Sequence, residues 1–225
     1  QVERIFRRRG AAAARPRRRK QRRPRAHQHV ALHVRPGLEQ AHICMGLAAP
    51  SQASPRRFAA HLLDIVLGGG MSSRLFQEVR EKRGLVYSIG SALHAYGQGG
   101  YETISAACAP KNLPRVLEVT LRELRRLKRG GVAPRELRRA KESLKGSLVL
   151  ALESTVSRMS SAARQEFYFG TTMEPEQWIA RVEAVTQDQI DEEAERLLDG
   201  RVLSLSVVGN VPGLPLSAAD LAQAL

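Results

Sequence analysis

The sequence predicts an α+β domain in which an antiparallel sheet carries helices on one face. Helical periodicities are grouped between segments that alternate like strands, and no strand–helix–strand repeat calls for a parallel sheet. The 225 residues, 43% of them hydrophobic, suffice for a substantial core in one large domain or two small ones.

The elements follow in order. From His29 the pattern alternates, with Val30, Leu32 and Val34 on one face and His29, Ala31 and His33 on the other, as in a half-buried strand. After a Pro36-Gly37 turn, Ala41 to Ala48 forms a second strand with Ile43, Met45 and Leu47 on one side. Ser54 and Pro55 open a helix whose Phe58, Leu62, Ile65 and Val66 recur at helical spacing. Gly68-Gly69-Gly70 stops it, Ser72 or Ser73 caps a short second helix, and Gly84 ends that helix before a strand near Val86. Val86–Tyr96 and Tyr101–Ala109 flank Gly97-Gln98-Gly99-Gly100, a hairpin expected to use positive φ. Asn112 and Pro114 introduce a helix closed by Gly130-Gly131. Pro134 begins a longer one reaching Phe169, with Gly146 or Ser154 as a kink and Gly170 as its stop. Helices follow Pro175 and Thr186, the latter with Gln189 at capping-box spacing, and Val202–Val208 is the last strand.

The net charge of +14 suggests nucleic acid until it is located. Residues 1–25 carry 12 Lys or Arg against Glu3, whereas residues 26–225 carry 24 basic and 21 acidic side chains. The basic segment from Arg7 to Arg25 lacks apolar periodicity and aromatic residues, so it reads as a linker and nucleic-acid binding ranks last. No apolar run approaches the ~20 residues of a membrane span, so no membrane partner is expected. Cys44 and Cys108 fall in apolar, strand-like segments and read as free buried thiols.

The run Gly68-Gly69-Gly70-Met71-Ser72-Ser73-Arg74-Leu75-Phe76-Gln77-Glu78-Val79-Arg80-Glu81-Lys82-Arg83-Gly84-Leu85-Val86-Tyr87 closely resembles the second lobe of zinc metallopeptidases related to pitrilysin, insulin-degrading enzyme and mitochondrial processing peptidase, in their compact bacterial form. The resemblance implies an antiparallel sheet of about five or six strands packed against several helices. It also implies that Arg80 and Tyr87, the matching Arg and Tyr seven residues apart, bind substrate. A guanidinium and a phenol are both donors, and donors aimed at a peptide carbonyl stabilise charge developing there.

In that family the first lobe carries His-x-x-Glu-His, whose histidines bind zinc while the glutamate activates water. None of the six histidines, at 27, 29, 33, 42, 61 and 94, has the motif. His29 and His33 share a strand face, but strand residues four apart lie roughly 13 Å apart, too far to ligate one ion. The expectation is therefore residues 1–27 as the end of a preceding lobe plus basic linker, 28–212 as the second lobe and 213–225 as a tail. The chain is expected to be the second half of a larger protein, with zinc in the assembled enzyme held by a first lobe on the same or a separate polypeptide. The resemblance implies a substrate-binding, chamber-closing lobe of a zinc-dependent endopeptidase acting on peptides, inactive alone, with no catalytic or metal residue of its own. The alternative is a non-catalytic scaffold subunit. Zinc-bearing lobe and peptide are the expected partners, a homo-oligomer stays open, and the cytoplasm is the expected compartment with the periplasm as alternative. Gly68–Gly70 lacks the following Gly-Lys-Ser/Thr of a phosphate loop. Glu78, Glu81 and Glu102 read as solvated, and Cys108 has no activating neighbour.

Overall fold

The structure, a computed structural model, describes residues 25–225, so the expected lobe end and most of the basic linker lie outside the described residues. Five strands, β1 (Val30–Val34), β2 (Ala41–Ala49), β3 (Val86–Ala95), β4 (Gly100–Cys108) and β5 (Ser204–Gly209), form one sheet in the order β1-β5-β2-β4-β3. The α+β class and strand number agree with the sequence, but the sheet is mixed. β1 pairs parallel to β5, Val30 opposite Leu205, while the other three pairings are antiparallel. A parallel pair needs a crossover, and here it is nearly the whole chain, which local periodicity does not reveal.

Alternation assigns the two faces. Ala41, Ile43, Met45 and Leu47 on β2, Ile104, Ala106 and Cys108 on β4, and Leu205 and Val207 on β5 are buried. The helices are α1 (Arg57–Leu67), α2 (Leu113–Gly130), α3 (Pro134–Glu153), α4 (Thr155–Phe169), α5 (Pro175–Glu183), α6 (Gln187–Leu197) and α7 (Ala218–Ala224), and all but α4, which has no buried residue, supply the other half of this core. Leu62 and Leu63 of α1, Leu117, Leu124 and Leu127 of α2, and Ile190 of α6 are almost fully buried, each such side chain contributing roughly 2 kcal/mol by leaving water. Helix α7 begins at a Ser217–Asp220 capping box and buries Leu221.

Several local expectations are modified. The long helix divides at Ser154, whose extended backbone (φ −88°, ψ 117°) ends α3 and whose hydroxyl accepts from Ser157 N (3.3 Å) to cap α4; Gly146 stays helical. The apolar stripe on this pair is largely exposed at Leu150, Val156, Met159 and Phe167. The β3–β4 hairpin does not use positive φ, which among the described residues occurs only at Gly84, Gly131 and Gly170. Its ends are tied by Tyr96 N donating to Gly99 O (2.8 Å). Thr186 and Gln189 form the expected capping box. Cys44 lies on the open sheet face and is exposed, because β2 alternates. Burial pushes the Cys108 thiol up to about 11, which leaves it protonated and unreactive.

Candidate functional site

The short helix after the glycines is where local geometry departs furthest from the regular. Residues Phe76–Glu81 are π-helical, with Lys82 N donating to Gln77 O (3.0 Å), five residues back. One residue more per turn rotates everything downstream around the axis, and such turns are frequent at functional sites. Leu75 and Val79, both fully buried, anchor one side of the helix. Arg74 fixes its start: Nε and Nη2 donate to the two oxygens of Glu136 (2.8 and 2.6 Å), and Nη2 also reaches Gly131 O (2.8 Å). The Arg74 hydrogen bond holds the Glu136 carboxyl below the usual range. The expected serine cap is not formed at Ser73, whose buried hydroxyl has no partner.

Gly84 closes the helix at φ +59°. Gly84 N donates to Arg80 O (2.8 Å) and Leu85 N to Val79 O (3.1 Å), the bonding of a glycine C-cap widened by one residue to suit the π-helix. A side chain at that φ is strained, so glycine belongs there. Strand β3 then starts with a second irregularity. Val86 pairs with Cys108 and Ser88 with Ala107, so Tyr87 is the extra residue of a bulge. Val86 and Ile89 face the core, while Tyr87 and Ser88 are exposed.

Together the two irregularities bring Arg80 and Tyr87 side by side. The Arg80 guanidinium carbon lies 5.5 Å from the Tyr87 ring centroid and 4.6 Å from that of Phe76. Cation–π contact over two rings orients the guanidinium, leaving only a loose approach to Glu81 (3.8 Å). Tyr87 is 81% exposed. The pair stands at the edge strand, beside a sheet face whose central positions are small: Gly46 and Ala48 on β2, Ser105 and Ala107 on β4, Gly90 and Ala92 on β3. Phe76, which seats the arginine, is not among the residues expected from sequence; its spacing of four before Arg80 is the signal that points to it.

A partly buried polar tie holds the glycine turn against the sheet. Ser91 Oγ donates to Asp64 Oδ1 (2.5 Å), and Ser91 N donates to Gly68 O (3.3 Å). A Cβ at Gly68 would sit 2.3 Å from Ser91 N, whereas one at Gly70 would meet nothing. Gly68→Ala is therefore expected to cost about 1–3 kcal/mol and Gly70→Ala nearly nothing, measured by urea unfolding; equal midpoints for the two would show that the turn yields.

Glu102 corrects its solvated reading: it is 1% exposed and enclosed beside Asp64 and Ser91. Burial, then the neighbouring Asp64 carboxyl, pushes it up to about 10, so it is a neutral acid. Alternation with Ile104 and Ala106 is the signal for its inward position. Burial also holds His61 below its usual range, opposed by Asp64 and reinforced by Arg57. Glu78 is paired with Lys82 and Arg83. Among the described residues no three His, Cys, Asp or Glu side chains converge as metal ligands, and none of the helices described is long and apolar enough to cross a membrane.

The family described as the peptidase M16 inactive domain matches residues 1–144. An uncharacterized zinc protease of Mycobacterium tuberculosis is 41% identical over 163 residues, which are 72% of this chain and 37% of the relative. One from Bacillus subtilis is 38% identical over 176 residues, 77% of this chain and 43% of the relative. The match thus spans less than half the length of these relatives. The crystal structure of the peptidase M16 inactive domain from Pseudomonas fluorescens superposes over 88% of this chain and 47% of that one, with a TM-score of 0.77 and 21% identity, a likeness of fold.

Proposed function

The chain belongs to the peptidase M16 family, as its inactive domain, and from that premise we propose that it is the substrate-binding lobe of a zinc-dependent endopeptidase whose zinc is held by a separate, zinc-bearing lobe. The observation that carries this reading is the Arg80–Tyr87 pair, brought together by a π-helix and a bulge and left exposed at a sheet edge. Strained or irregular backbone persists where surrounding structure enforces it, and it clusters at functional sites.

An extended peptide lying along β3 pairs with the backbone groups of this edge strand on either side of Ser91, whose own N–H is taken by Gly68 O. The small residues of the open face leave room for its side chains. Arg80 and Tyr87 then donate toward a peptide carbonyl, Arg80 as a fixed charge and Tyr87 through its hydroxyl. In a site closed from water such donors act strongly on charge that develops during attack. The zinc and the water-activating group belong to the other lobe in this reading, and the chain alone hydrolyses nothing.

The purified chain is expected to hold far less than stoichiometric zinc and to cleave no peptide, while mixing it with a separately produced zinc-bearing lobe of the same enzyme restores cleavage of an unfolded peptide. Tightly held zinc at one per chain, or no gain on mixing although the lobes associate, would overturn the assignment.

A further inference from the structure

A recess of about 770 Å³ opens on the other side of the short helix, between the segment Ser72–Arg74, the π-helix, the end of α2 and the start of α3. Arg122, Arg125, Arg126 and Arg129 line it at i, i+3, i+4 and i+7, the spacing of a single helix face. Their charges are incompletely matched. Arg122 Nε and Arg126 Nη1 both donate to the carboxylate of the buried Glu123 (3.4 and 3.2 Å), so two guanidiniums share one negative charge. Arg125 donates to the carbonyl of Ala224 (2.8 Å), which holds it without neutralising it. Arg129 has no ion pair among the described residues. The other two glutamates of the wall are already engaged, Glu136 by Arg74 and Glu78 by Lys82 and Arg83.

The opposite wall supplies an independent sign of a ligand. Ser73 lines the recess, is 2% exposed, and its hydroxyl has no hydrogen-bond partner. Buried polar groups are almost always satisfied, and an acceptor oxygen entering the recess satisfies this one. Gln77 adds a neutral amide, already donating to Met71 O (2.7 Å).

We propose that this recess is a subsite for acidic side chains of the bound peptide, two to several residues from the bond held at Arg80 and Tyr87. The inference rests on the peptide-binding reading above. Gln77 and Glu78 line the recess and precede Arg80 on the same short helix, so recess and pair lie on two sides of one helix, whose diameter of ~10 Å is the span of about three extended residues. Four arginines over seven residues cover roughly 10 Å of helix, and alternate side chains of an extended peptide are about 6.6 Å apart, so two carboxylates at i and i+2 fit along them. Guanidinium forks match carboxylates, while the three glutamates on the wall penalise a more highly charged phosphate.

The test is fluorescence anisotropy on the full chain with two labelled peptides that differ only in Glu-x-Glu against Gln-x-Gln. The acidic peptide is expected to bind about tenfold more tightly at low salt, with the advantage shrinking as salt screens it. Arg129→Gln and Ser73→Ala are each expected to reduce that advantage without shifting the thermal midpoint; should Arg129→Gln shift it, Ser73→Ala carries the test. Equal affinities in the unaltered protein, or an advantage that survives both substitutions, overturns the subsite. Tyr87→Ala decides the underlying reading separately: weakening of both peptides supports it, and no effect on either removes it whatever the charge preference. Displacement of the acidic peptide by inorganic phosphate at lower concentration than by glutarate overturns the carboxylate assignment.

Discussion

Replacing Glu102 by glutamine is expected to stabilise the folded chain at neutral and alkaline pH. In the unfolded chain this carboxyl ionises near 4.5, whereas in the fold it keeps its proton to about 10. The unfolded state therefore gives up a proton that the folded state retains. Stability from this group is fully present below pH 4.5 and is lost progressively as pH rises toward 10. The loss is about 1.4 kcal/mol per pH unit, or on the order of 3–4 kcal/mol at pH 7. Glutamine has nearly the same shape and needs no proton to remain buried. The gain from Glu102→Gln should thus be near zero around pH 4.5 and grow with pH, as read from urea unfolding at a series of pH values. A difference that stays constant across the series would show that Glu102 is not a buried neutral acid.

The other large effect concerns Arg80 and Tyr87 in the assembled enzyme. Removing one donor that acts on the transition state costs about 10²–10³ in rate, or roughly 3–4 kcal/mol. Arg80→Ala and Tyr87→Phe are each expected to lower kcat/KM for an extended peptide by that order. Neither changes core volume, since Tyr87 is largely exposed and Arg80 lies over two rings at the surface. Thermal midpoints should therefore hold. Lys82→Ala, two residues past Arg80, removes only an exposed partner of Glu78; it is the control and should be much milder. Near-normal rates with both substitutions at the pair would remove its role in the reaction and favour a scaffold.

What is legible in the sequence divides by physical range. Capping residues, glycine stops and alternating faces act over a few residues, so the Thr186 cap, the Gly84 stop and the buried sides of β2 and β4 can be read directly. Arg80 and Tyr87 stand out through a matching motif, but the reason they meet is not visible there: neither a π-helix nor a bulge has a compositional signal. The solvated reading of Glu102 weighs neighbouring charge in sequence above the alternation that puts it on the face of Ile104. The parallel placement of β1 is out of reach altogether, since its partner is determined by the last third of the described chain.

That pairing bears on how the chain assembles. β5 lies between β1 and β2, so on a growing chain β1 has no neighbour and β2 keeps one edge open until the residues around Val207 have emerged. Contacts this distant in sequence are slow to form because the intervening loop must close first. During that interval the unpaired edge of β2, with Ile43, Met45 and Leu47 beside it, is a surface on which another chain can pair. Yield at high expression, more than equilibrium stability, is where this topology exerts its cost.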